Sequence, residues 1–318
     1  MHILKTLLLL SGCIVVLLAS AFESPAADRE LSASIEVVKE YNDNIFFDTE
    51  KTSDFIIRIK PKVQVSNNTE RTQMRFDAAL SGDKYIKNPS LDTVQMDTQL
   101  SLSHAWSPRL STAVRGYFKR DETQETELEL AGIPSLREER LQYGGELSGT
   151  YALTEKWSVK AAAIAGATNY PEEGHPNAKT FEGQLDQSWQ LTPRTAIGLL
   201  GTYSLVDYQD IPGTIASEDA SNKTLRASVY WRHRYTEATS FQASMGYRFT
   251  WAEQTLTFPQ FVITPDGPTF IFSRIPLEST DDGLIFSASA ATKLSERLSA
   301  TLSAGRDQYN SADATSVE

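Results

Sequence analysis

Between residues 31 and 302, apolar side chains recur again and again at every second position, the period that places neighbouring residues on opposite faces of an extended strand. Met96, Leu100, Leu102 and Trp106 share one parity, and Leu110, Val114 and Phe118 resume it across a short turn. Leu141, Tyr143, Leu147 and Tyr151 follow, then Trp157 and Val159, then Phe181, Leu185 and Trp189, and later Leu225, Val229 and Trp231. Counted along the chain, the pattern predicts thirteen strands and no helix. Such a chain closes either as a two-sheet sandwich, with the apolar faces turned inward, or as a barrel in a bilayer, with the apolar face turned outward.

The connections decide between these two. Five of them are nearly one sequence: Trp106-Ser107-Pro108-Arg109-Leu110, Leu153-Thr154-Glu155-Lys156-Trp157, Leu191-Thr192-Pro193-Arg194-Thr195, Tyr235-Thr236-Glu237-Ala238-Thr239 and Leu294-Ser295-Glu296-Arg297-Leu298. Between them lie long polar connections at residues 119–137, 169–177, 208–223 and 252–282. Short turns alternating with long loops put all the turns at one end of an up-and-down array, as in outer-membrane barrels, and sandwiches do not segregate them so cleanly. Trp106, Tyr151, Trp157, Trp189, Trp231 and Tyr235 lie near the short turns, where an interfacial aromatic girdle is needed. The predicted fold is therefore all-β, an antiparallel up-and-down transmembrane β-barrel. An even strand number makes that fourteen or more strands in complete form. The chain ends at Glu318 where a loop should begin, so a C-terminally incomplete barrel is expected.

If the apolar parity meets lipid, the other parity lines the lumen. It carries Arg58, Lys60, Arg115, Arg140, Lys160, Arg226, Arg232, Arg234 and Arg248, with Lys62 and Arg75, against fewer acids, although the whole chain has 41 acidic and 30 basic residues and a net charge of -11. Two readings stay open: a path or binding surface for an anionic solute, or a set of ion pairs that stiffens the wall. The acidic balance argues against nucleic-acid binding, which needs clustered Lys and Arg.

Lys5, an apolar run from Leu7 to Leu18 and Ala19-Ser20-Ala21 read as a cleavable export signal over residues 1–21, leaving residues 22–318 for the barrel. The apolar run is too short for a transmembrane anchor. Cys13, the only cysteine, lies in that signal, so no disulfide holds the mature chain. His104, His175 and His233 have no metal-ligand spacing, and no nucleophile motif is present, so no metal, cofactor or catalytic residue is assigned and no enzyme is expected. The acidic stretch Asp121, Glu122, Glu125, Glu127 and Glu129 is expected in a solvated outer loop.

The first hairpin reads Glu40-Tyr41-Asn42-Asp43-Asn44-Ile45-Phe46, then Ser53-Asp54-Phe55-Ile56-Ile57-Arg58-Ile59-Lys60-Pro61. It resembles the opening of the bacterial outer-membrane family called beta-barrel porin 2, which has a Tyr-x-Asp-Asn-Ile element followed by an extended segment ending in proline. Tyr41, Asp43, Asn44, Ile45 and Pro61 carry the match. The resemblance implies export or surface attachment of an exopolysaccharide at the bacterial outer membrane. It implies lipid, lipopolysaccharide, polysaccharide and periplasmic export proteins as partners, and it brings no catalytic residues. A general diffusion porin and an outer-membrane lipid-modifying enzyme are the alternatives.

Overall fold

The computed structural model describes residues 28–46, 50–122, 138–171, 176–209, 219–264, 267–293, 298–306, 309–310 and 316–317. Residues 1–21, expected as an export signal, together with His175, Glu125, Glu127, Glu129, most of the turn at residues 294–298 and most of the C-terminal end, lie outside the described residues. The chain forms two units, residues 1–104 and 105–318.

The first unit holds strands β1 (Asp28–Asn42), β2 (Asp54–Asn68), β3 (Thr72–Tyr85) and β4 (Thr93–Ala105). Each pairs antiparallel with the next in chain order. The β2–β3 ladder skips Lys60 and Pro61, as expected where proline supplies no N–H. The second unit holds β5 (Leu110–Glu122), β6 (Glu139–Ala152), β7 (Trp157–Asn169), β8 (Asn177–Thr192), β9 (Thr195–Gln209), β10 (Asp219–Arg234), β11 (Thr239–Thr264), β12 (Gly267–Lys293) and β13 (Ser299–Arg306). These too pair antiparallel in chain order. Thirteen strands in meander order match the period-two reading. Among the described residues β1 pairs only with β2, and β13 only with β12. No described helix is long and apolar enough to cross a membrane.

The repeated turns have a common chemical reason. In each described copy a Ser or Thr hydroxyl accepts backbone N–H groups that the tight turn would leave without partners. Ser107 Oγ takes the N–H of Arg109 at 3.2 Å and of Leu110 at 3.1 Å. Thr154 Oγ1 takes Lys156 at 3.2 Å and Trp157 at 3.0 Å, and Thr236 Oγ1 takes Ala238 at 3.2 Å and Thr239 at 2.9 Å. Thr192 Oγ1 accepts from Arg194 N at 3.2 Å. Thr69, in a turn of different sequence, does the same for Thr72 at 2.9 Å. Replacing Thr154 or Thr236 with Ala is expected to cost about 1 kcal/mol each and to add when combined, read from urea unfolding in lipid vesicles; a double variant as stable as the parent would refute the capping role.

The apolar parity is the exposed one. Leu147, Phe181, Leu185, Trp189, Leu199, Val229, Met245 and Leu284 all stand out from the sheet. Trp157 pairs with Trp189, Trp189 with Ile197 and Ile197 with Trp231, so the three indoles lie in one row across four strands beside the short turns. On β10 the apolar stretch ends at Lys223, eight residues from Trp231. That is roughly 26 Å along the strand and about 20 Å once tilted, within the ~25 Å apolar band of such barrels.

The loop expected over residues 252–282 is instead a continuation of β11 and β12, paired out to Thr264 and Gly267. Beyond Gln254, where β10 stops, ten further pairs run from Thr255 opposite Pro276 to Thr264 opposite Gly267. The loops expected at residues 119–137 and 208–223 are likewise shortened, since β5 reaches Glu122 and β9 reaches Gln209.

Candidate functional site

The motif at the first hairpin builds a small cap at the long-loop end. Ile45 is buried against Ile56 and Tyr85, with Leu91 packed on them. The bend that brings it there is held by Asn44 N donating to Asn42 Oδ1 at 2.9 Å and Ile45 N donating to Thr52 O at 2.9 Å. Tyr41 packs on Phe55 with ring centroids 5.0 Å apart, and Asp43 meets Lys51 at 3.0 Å. Asp54, fully buried, accepts from the backbone N–H groups of Phe55 at 2.7 Å, Lys87 at 3.0 Å and Asn88 at 2.9 Å, and from Asn88 Nδ2 at 2.9 Å. Asp92 anchors the same loop: burial works to raise its pKa, but bonds from Lys84 Nζ and Tyr85 N, with the Lys84 charge, hold it below the ordinary carboxylate value. That contact is complete at neutral pH and is lost only as pH falls through the lowered value. The motif residues thus shape a strand end and its loops.

The basic residues of the polar parity divide into two groups. In the first, each cation meets an acid. Arg58 grips Asp83, with Nε at 2.8 Å and Nη2 at 2.7 Å, and stands 3.8 Å from Glu40. Arg140 holds Asp121 through Nε at 3.0 Å and Nη2 at 2.8 Å, while Lys119 Nζ reaches the same carboxylate at 2.8 Å. This corrects the loop expectation for Asp121, which is a buried strand residue neutralised by two cations. Glu122 ends the same strand. Arg115 lies 3.6 Å from Glu146, Arg75 bonds Asp77 at 2.7 Å, and the fully buried Arg248 bonds Asp281. Lys60 stands opposite Glu36, and Lys160 opposite Asp186, in register. For Arg58, Arg115, Arg140 and Arg248, ion pairing across strands is what the geometry shows.

The second group sits on β10 and its neighbours near the short turns. Arg232 and Arg234 line a cavity of about 410 Å³ together with Arg194, Gln190, Gln242 and Phe241, and no Asp or Glu is part of its wall. The Arg232 guanidinium carbon lies 4.5 Å from the centroid of the Tyr230 ring, a cation–π contact. Tyr230 is itself buried and donates from its hydroxyl to Asp186 Oδ1 at 2.7 Å, crossing Gly198 on the strand between. The β8–β9 ladder shifts register between Gln190 and Thr192 beside the cavity, and Gln190 Nε2 bonds Thr192 O across the shift at 2.7 Å. Bulges of this kind re-aim side chains next to binding sites. Farther along β10, Arg226 stands directly opposite Arg248.

Arg194, Tyr230 and Asp281 belong to this arrangement but were not singled out from the sequence. Arg194 sits in the repeated turn as its fourth residue, and Tyr230 breaks the polar parity opposite a glycine, which was the available signal. His104 and His233 lie on the outward parity by the short turns and each shares a hydrogen bond with a threonine of the next strand, Thr72 at 2.8 Å and Thr195 at 2.9 Å. His233 also stacks on Trp231. Both are girdle residues in their surroundings.

Comparison with known proteins places the fold. The chain is similar to the ferric-catecholate import receptor Fiu of E. coli K12 in its open form, with a TM-score of 0.53, 7% identity, and coverage of 89% of this chain and 54% of that one. The closed form gives a TM-score of 0.50 at 8% identity, covering 80% and 48%. The chain thus spans about half the length of that receptor. The COG4313 outer membrane channel of Pseudomonas putida F1 also matches, at 14% identity and a TM-score of 0.39, covering 83% and 98%. No family profile and no curated protein matches the sequence. The fold is that of an antiparallel up-and-down outer-membrane β-barrel.

Proposed function

We propose that this chain forms the wall of an outer-membrane barrel that passes, or holds at the surface, an acidic exopolysaccharide. The observation that carries the reading is the arginine-rich wall of β10 and β11: Arg226, Arg232, Arg234 and Arg248 all lie on the lumen parity, and no Asp or Glu lines the cavity that holds Arg232 and Arg234. A row of guanidinium groups along a water-filled wall lowers the energy of an anion at successive points of its path. The resemblance of the first hairpin to beta-barrel porin 2 supports the polymer as the anion.

The full chain, folded into planar bilayers under a salt gradient, is expected to give a reversal potential that favours anions. The triple variant Arg226→Gln, Arg232→Gln, Arg234→Gln is expected to lose that preference while still forming pores. An unchanged preference in the triple variant overturns the reading. Swelling of liposomes in neutral sugars at a rate equal to that in acidic ones points instead to a general diffusion porin.

A further inference from the structure

We infer that the cavity at the short-turn end of β8–β12 is a binding site for an acidic sugar residue, a uronate unit presented on a chain, at the periplasmic mouth of the barrel. The inference rests on the reading above and gives it a point of entry. Three features of the cavity define the ligand. Its charges are three arginines, Arg194, Arg232 and Arg234, with no carboxylate in the lining, so the cavity is built for an anion. Among the described residues neither Arg232 nor Arg234 has an ion-pair partner, whereas Arg58, Arg75, Arg115, Arg140 and Arg248 each have one.

The rest of the wall is uncharged and hydrogen-bonding, with Ser188, Gln190, Ser240, Gln242 and Ser289. A small compact anion has no use for so many neutral donors and acceptors, but a hydroxylated ring satisfies them. Ala196 and Ala291, in register with Arg232 and Ser240, supply an apolar surface for the ring's C–H groups. The volume of about 410 Å³ lies within the range of small-molecule sites and exceeds what a single phosphate fills.

The site is also braced. Tyr230, fixed by its hydrogen bond to Asp186 and by the glycine beneath it, holds the Arg232 guanidinium against its ring. Arg194 Nη1 is tied at 3.4 Å to the carbonyl oxygen of Tyr235 in the next turn. Two of the three cations are therefore oriented before any ligand arrives, which lowers the ordering cost of binding.

The test is calorimetric titration of the full chain, folded into lipid nanodiscs, with a galacturonate trimer, maltotriose and inorganic phosphate. The trimer is expected to bind, maltotriose not to bind measurably, and phosphate to bind more weakly than the trimer. Arg232→Gln with Arg234→Gln is expected to weaken the trimer roughly tenfold or more. Arg109→Gln, in another turn, is expected to leave binding unchanged. Arg232→Lys with Arg234→Lys keeps the charge and serves if the glutamine variant does not show the heat-modifiable gel mobility of a folded barrel; it too is expected to weaken the trimer, because lysine lacks the planar fork. Equal trimer binding by parent and folded variants overturns the site. Phosphate binding as tight as the trimer reduces it to an anion site and overturns the saccharide assignment, and tight maltotriose binding overturns the role of charge. Trimer binding that persists when the bilayer experiment shows no anion preference leaves the site standing and removes the conduit. Anion preference without trimer binding does the reverse.

Discussion

Valine at position 198 is expected to destabilise the folded barrel by about 3 kcal/mol, the sum of an overpacked contact and a lost hydrogen bond. A Cβ on Gly198 would lie 2.2 Å from Tyr230 Cζ, 2.3 Å from its hydroxyl oxygen and 2.5 Å from the backbone oxygen of Gln187. The last of these is backbone, so rotating the tyrosine away does not relieve the whole clash. If Tyr230 swings out, Asp186 loses its donor and Arg232 loses the ring on which it rests. The measurement is the urea midpoint of folding into lipid vesicles, followed by gel mobility. Gly198→Ala is expected to show the same sign at smaller size. Tyr230→Phe, which keeps the ring and removes the bond to Asp186, is expected to cost about 1 kcal/mol. Parental stability in Gly198→Val would show that the tyrosine does not pack across this glycine. The same device occurs on β5–β7, where the Tyr117 hydroxyl lies 2.8 Å from the Cβ position of Gly144 and 3.0 Å from that of Gly166.

Neutralising Asp281 is expected to cost roughly 2–4 kcal/mol, because it strips the counter-charge from a guanidinium that has no access to water. Arg248 is fully buried, and its Nη1 donates to Thr250 Oγ1 at 3.1 Å while Nη2 meets Asp281. Its Nε has no hydrogen-bond partner in the structure, and Arg226 faces it across the ladder. Asp281 is itself partly exposed, which keeps the expected loss from being larger. The decisive comparison is the double variant Asp281→Asn with Arg248→Met. Removing the stranded cation as well is expected to restore most of the stability lost in Asp281→Asn alone. A double variant less stable than the single one would mean that Arg248 does not depend on Asp281.

Much of this fold is written in the alternation itself. A strand with one oily and one wet face announces its length and orientation locally, and the Ser or Thr of each turn announces the reversal, so all thirteen strands were legible. The extension of β11 and β12 was not. Thr255, Thr257, Pro259 and Gln260 dilute the apolar signal there, so the segment reads as a polar loop. The lumen charges were legible as a face but not as partners. Arg140 finds Asp121 across the β5–β6 pair and Arg248 finds Asp281 across β11–β12. Which cation keeps a free face is set by cross-strand register, and a one-residue slip would change every partner. Arg194 was hidden for a related reason: its turn position looked structural, and only pairing of β9 with β10 brings it beside Arg232 and Arg234.

The ten extra rungs of β11 and β12 rise roughly 33 Å past the point where β10 ends. If, as proposed, the short turns face the periplasm, this ladder is expected to stand on the cell exterior as a mast. Antibodies against an epitope inserted next to Gly267 are then expected to stain unpermeabilised cells.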